Sequence, residues 1–86
     1  MSVEVRYWAA ARAAAGLDSE VVSASSVGQL VDTVIRRRPA NQEFTRVLSM
    51  SSLLVNGVTA GPVPSGGNTQ VSPGDVVDIL PPFAGG

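Results

Sequence analysis

The sequence predicts an α+β roll, a mixed sheet with one main helix packed on one face. Three observations lead there. Val3-Glu4-Val5-Arg6-Tyr7 alternates apolar and polar residues at the period of a half-buried strand, and Val76-Val77-Asp78-Ile79-Leu80 supplies an apolar strand at the far end. Between them, Val27, Leu30, Val31, Val34 and Ile35 recur at helical spacing and form one apolar stripe. Finally, 86 residues with 44% apolar and 15% charged composition suit a single globular domain rather than a disordered tail. A chain of this size can bury roughly 60% of its surface, enough for one modest core.

The elements follow in order. After the first strand, Ala9 to Gly16 is alanine-rich around Arg12 and favours a short helical turn that Gly16 can end in a left-handed conformation. A second short strand is expected from Ser19 to Ala24, carrying Val21 and Val22, so the first two strands form a hairpin with a wide connection. Ser26 stands three residues before Gln29, a spacing in which each side chain can bond the other's free backbone amide and start a helix. That helix is expected to run from about Val27 to Arg38, where Pro39 stops it. Phe44, Val47 and Leu48 suggest a further short helix over one end of the core.

Leu53-Leu54-Val55 reads as a strand, Asn56-Gly57 supplies the positive backbone angles of a tight turn, and Val58-Thr59 opens the return strand. The prolines and glycines between Gly61 and Gln70 read as a loop, and Ser72-Pro73-Gly74-Asp75 as a turn before the last strand. The domain is thus expected over residues 1–80, followed by a tail over 81–86. The sheet face away from the helix is left polar or open to a partner.

Absences narrow the chemistry. The chain has no Cys, His or Lys, so it offers no thiol nucleophile, Ser-His pair, Schiff base, lysine P-loop, disulfide, or thiolate or imidazole metal site. No cofactor or metal is expected on this chain. A formal charge of −1 gives no general attraction to nucleic acid or to an anionic membrane. No apolar run approaches the ~20 residues of a membrane span, and the first residues lack the layout of a secretory signal, so a cytoplasmic protein is expected. Arg36-Arg37-Arg38 falls at the predicted helix C-terminus, where each cation complements the helix dipole by about 0.3–1 kcal/mol. Asp75 is expected in a turn and Asp78 at an exposed strand position. Trp8 suits either a partner-facing sheet surface or the core.

The last six residues are Pro81-Pro82-Phe83-Ala84-Gly85-Gly86. Paired prolines cannot continue a sheet ladder and hold the backbone extended, so a projecting arm is expected. A terminal carboxylate on Gly86, with a pKa of about 3.3–3.7, is ionised at neutral pH and can attack the α-phosphate of a nucleotide to form an acyl-adenylate. Gly85 and Gly86 lack Cβ atoms, so a narrow enzyme channel can close around them. Phe83 can dock on a partner or fold back onto the core.

Tyr7-Trp8-Ala9, the Arg12 to Gly16 segment, Leu53-Leu54-Val55-Asn56-Gly57, Gly74-Asp75-Val76-Val77 and the Pro-Pro-x-x-Gly-Gly close together resemble the small subunit of molybdopterin synthase. That family belongs to the ubiquitin-like β-grasp sulfur carriers, and the likeness runs from the first strand to the last glycine. The paired prolines favour the molybdopterin branch over carriers for thiamine-thiazole or cysteine synthesis. The resemblance implies a cycle in which an activating enzyme uses ATP to adenylate Gly86 and a persulfide-bearing donor protein converts it to a thiocarboxylate. The large synthase subunit, in a two-plus-two heterotetramer, then receives the sulfur for cyclic pyranopterin monophosphate. Pro81, Pro82, Phe83, Ala84 and Gly85 would be the recognised tail, and the small subunit would be non-catalytic.

Two other classes compete with that reading. A ubiquitin-like protein modifier would carry Gly86 in isopeptide bonds, although without Lys it could not form self-linked chains on side-chain amines. A binding module would keep the roll without the chemistry.

Overall fold

The computed structural model describes residues 2–62 and 69–82. The elements are β1 (Val3–Tyr7), α1 (Ala9–Ala15), β2 (Ser19–Val22), α2 (Val27–Arg36), α3 (Gln42–Ser49), β3 (Ser52–Val55), β4 (Val58–Pro62) and β5 (Val76–Leu80). One sheet holds the five strands in the order β2-β1-β5-β3-β4. β1 and β5 are parallel and the other neighbours antiparallel. The mixed α+β sheet read from the sequence is therefore what forms.

Strand alternation sends Val3, Val5 and Tyr7 to the same side as Val22, Leu53, Val77 and Ile79. There they meet Val27, Leu30, Val31 and Val34 of α2 and Phe44, Val47 and Leu48 of α3 in one buried cluster. Each such side chain contributes about 1.5–3 kcal/mol by leaving water. α2 begins as its spacing predicts, with the Ser26 hydroxyl accepting from the Gln29 N–H at 3.2 Å. The return contact is shifted by one residue, because Gln29 Oε1 accepts from the backbone N–H and hydroxyl of Ser25. Asn41 caps α3 on the Phe44 N–H and ties it to α1 by donating to the Ala14 carbonyl.

Three boundaries differ from the sequence reading. α2 ends at Arg36, two residues early: Arg37 keeps helical angles as the C-cap, but the Arg38 N–H bonds the Ile35 carbonyl three residues back, so the last turn tightens before Pro39. β2 stops at Val22 rather than Ala24. β4 runs on through Gly61 to Pro62, beyond the expected loop start, because a register shift beside Leu54 and an edge position accommodate both residues. The β3–β4 turn forms as expected, with Asn56 at φ 52° and Gly57 at φ 83°.

The arginine run does more than complement the helix dipole. Arg38 does donate to the Val34 carbonyl, as a C-terminal cation should. It also pairs with Glu20 Oε2 at 2.6 Å, and Arg37 holds Oε1 at 2.7 Å. Glu20 lies on the core side of β2 because it pairs in register with Val5. There the Tyr7 hydroxyl donates to it as well.

Burial alone would raise the Glu20 pKa, but the Tyr7 hydroxyl and the two guanidinium groups outweigh it and hold the carboxyl below its ordinary value. Burial and the neighbouring carboxylate push the Tyr7 hydroxyl far up. A depressed carboxyl stabilises the fold above its unfolded pKa, about 4.3, and loses that contribution as pH falls. A raised phenol does the reverse, losing its contribution above about pH 10. Stability measured by urea unfolding should therefore fall on both flanks of a broad plateau. Glu20→Gln should flatten the acid flank.

Candidate functional site

The tail leaves the fold from the middle of the sheet. β5 is flanked by β1 on one side and β3 on the other, with Tyr7 opposite Ile79 and Ser52 opposite Leu80. Asn56 fixes the entry to β5, its backbone N–H donating to the Val76 carbonyl and its side chain accepting from the Val76 N–H. The Asn56 amide also donates to Asp75, which accepts from the Ser72 N–H. Those two bonds hold the Asp75 carboxyl below its usual range and confirm it as a turn residue. Pro81 is still buried and Pro82 is exposed, so the chain reaches solvent two residues after the strand ends. Phe83, Ala84, Gly85 and Gly86 lie outside the described residues.

Trp8 stands beside that exit. Its backbone N–H donates to the Ile79 carbonyl at 3.3 Å, which extends the parallel ladder by one residue beyond β1. Its side chain is 45% exposed, so of its two possible places it takes the surface. The indole Nε1–H donates to Asp78 Oδ1 at 2.8 Å, and Arg6 Nε lies 3.1 Å from the same oxygen.

Asp78 therefore departs from expectation: it is buried rather than an exposed strand residue. Alternation alone correctly sends it away from the core, but the Trp8 ring and the Arg6 side chain cover it. The parallel register that sets Arg6 opposite Asp78 creates this group. Sequence reasoning named Asp78 but placed it in solvent and gave Arg6 no role; the only local signal was that each stands between apolar strand residues.

On the same face, register places Glu4 with Val21 and Val76, and Leu54 with Asp78. The open face therefore mixes apolar Val21, Val76 and Leu54 with polar Glu4, Arg6, Ser19, Thr59 and Asp78. A neighbouring cleft of about 170 Å³ is lined by Arg6, Tyr7, Trp8, Arg12, Asp18 and Ser19. Sites that enclose a small-molecule ligand span about 300–1,000 Å³, so this cleft is too small to surround a nucleotide. Among the described residues no group of three or more Asp or Glu side chains converges as a metal site, and no helix is long and apolar enough to cross a membrane. What the arrangement can do chemically is hold the base of a tail rigidly and offer an aromatic surface next to it.

Comparison with known proteins agrees with this fold. The profile of the ThiS family matches residues 5–86. The solution structure of small archaeal modifier protein 1 from Methanosarcina acetivorans superposes with a TM-score of 0.80 at 24% identity, over 99% of this chain and 96% of that one. The crystal structure of the same-named protein from Haloferax volcanii gives 0.79 at 24% identity over the whole of both chains. A complex of subunits 1 and 2 of the molybdopterin-converting factor from Helicobacter pylori 26695 gives 0.69 at 22% identity, again over both whole chains. No match was found among curated proteins.

Proposed function

Because this chain belongs to the ThiS family and has the ubiquitin-like fold of its sulfur carriers, we propose that Gly86 carries sulfur as a thiocarboxylate for molybdopterin formation. The observation that supports this most is the sequence Pro81-Pro82-Phe83-Ala84-Gly85-Gly86 joined directly to the central strand β5. A strand bonded on both sides gives the arm a stiff base, and the two glycines give it a slim end.

The Gly86 carboxylate attacks the α-phosphate of ATP on an activating enzyme, and pyrophosphate leaves. The terminal sulfur of a donor protein's persulfide then displaces AMP at the acyl carbon, and thiol attack on the acyl disulfide frees the thiocarboxylate. The chain has no His, Cys or Lys, in keeping with a scheme in which its partners supply the acid and base groups. ATP belongs to the activating enzyme, and no cofactor is assigned to this chain. Tail recognition falls to Pro81, Pro82, Phe83, Ala84 and Gly85.

The paired prolines favour the molybdopterin branch. The Helicobacter pylori complex is of two subunits of the molybdopterin-converting factor, which supports a large-subunit partner here; the heterotetramer is part of the proposal. Incubation with an activating enzyme, ATP and a sulfur donor should raise the intact mass by the difference between oxygen and sulfur. The loaded chain mixed with a large synthase subunit should then convert cyclic pyranopterin monophosphate to molybdopterin.

The match to proteins named small archaeal modifiers favours a second reading, conjugation of Gly86 to lysines of other proteins. The last arginine of the chain is Arg46, so the peptide mapping that distinguishes it uses chymotrypsin, which cleaves after Phe83, and looks for Ala-Gly-Gly remnants on lysine. Sulfur gain without remnants supports the carrier, and remnants without sulfur gain overturn it.

A further inference from the structure

Four residues follow Pro82, the last one described. Fully extended, they span at most about 14 Å. A protein that closes on the Gly86 carboxylate therefore comes that close to Pro82 and lies against the surface around the tail root. Trp8 borders this root: it bonds to Ile79, the neighbour of Leu80, and stands on the sheet face opposite the core.

The Trp8 side chain is nearly half exposed, yet it is not free to rotate. Its N–H is bound by Asp78, whose side chain is only 11% exposed and which is held in turn by Arg6. The backbone is constrained as well, for Ala9 directly after it takes φ 48°, a left-handed angle that a residue with a Cβ rarely adopts. The core does not use these groups, since Arg6, Trp8 and Asp78 all lie outside the apolar cluster. Ordering an exposed aromatic ring removes part of the entropy cost of association, and such rings dominate interface energies.

We propose that Asp78 and Arg6 are positioning residues that hold the Trp8 indole in one orientation as the docking anchor for the adenylating enzyme that takes the C-terminal glycines. This rests on the carrier reading. The occupant is the apolar collar around that enzyme's glycine channel, which the short reach of the tail brings onto Trp8 and the adjoining Leu80.

Trp8 is the single tryptophan of the chain, so its fluorescence reports the clamp directly. Time-resolved anisotropy of the full chain should show a fixed indole in the wild type, a mobile one in Asp78→Val, and recovery in Asp78→Asn, whose amide oxygen still accepts from the indole. Binding is read against a ubiquitin-activating-type adenylating enzyme from the same genome. Trp8→Ala should weaken it about tenfold or more, Asp78→Val about three- to tenfold, and Asp78→Asn less than Asp78→Val. Circular dichroism should show native folds in all three.

An indole equally fixed in Asp78→Val overturns the clamp. Wild-type affinity in Trp8→Ala, or no binding by the wild type, overturns the docking assignment. The carrier reading is judged separately: wild type that gains sulfur while Trp8→Ala binds normally sinks only this proposal, whereas wild type that never gains sulfur sinks the carrier.

Discussion

A chain lacking Gly85 and Gly86 should accept no sulfur at all while melting like the wild type. The loss is expected to be complete because the reacting carboxylate moves back to Ala84. Its acyl carbon then sits about 7 Å short of the enzyme's nucleotide, at about 3.5 Å per residue. A displacement of even 1 Å costs about a hundredfold in a positioned reaction, so two residues leave nothing measurable. The fold should not notice, since β5 ends at Leu80 and Pro82 is already exposed. Intact mass spectrometry after incubation with activating enzyme, ATP and donor reads the first outcome, and a thermal melt reads the second. A truncated chain that still gains sulfur would place the chemistry elsewhere.

Phe44→Ala is expected to be the most damaging single change to the fold. Phe44 is fully buried, its ring meets that of Tyr7 edge-on at 5.5 Å, and the Arg38 guanidinium lies 4.6 Å from its centre. Truncation removes the apolar area, leaves a cavity between α3 and β1, and takes one aromatic wall from Arg38 while Glu20 still holds it. Such changes cost about 3–5 kcal/mol, a large share of the roughly 5–15 kcal/mol that stabilises a domain. The urea midpoint should fall steeply with an unchanged slope. Phe44→Leu should recover more than half of the loss, because it refills most of the volume. A fall of less than about 1.5 kcal/mol would mean that the site collapses freely and that Phe44 does not organise the core.

Legibility followed the range of the interaction. The Ser26 cap, the apolar stripe of α2 and the Asn56-Gly57 turn are each written within a few residues, and each appears in the fold. Glu20 was silent in the sequence as a core-side charge. Its partners Tyr7, Arg37 and Arg38 lie 13 to 18 positions away on other elements, and only the hairpin register and the docking of α2 bring them to it. Asp78 was misread for a related reason. Alternation gives the face on which a strand residue lies but not what covers that face.

By itself the sequence determined the α+β class, the positions of the caps and turns, the residues that form the core, and a tail of two prolines and two glycines in a chain without Cys, His or Lys. Those properties depend on local backbone preference and on side-chain chemistry, which neighbours in the chain supply. Only the tertiary structure decided that β5 lies beside β1 in parallel, which strands become its neighbours, and that Trp8 stands at the tail root with its indole bound to a carboxylate 70 residues away. Strand order depends on the free energy of packing the whole sheet against α2 and α3. No short stretch of residues carries that information.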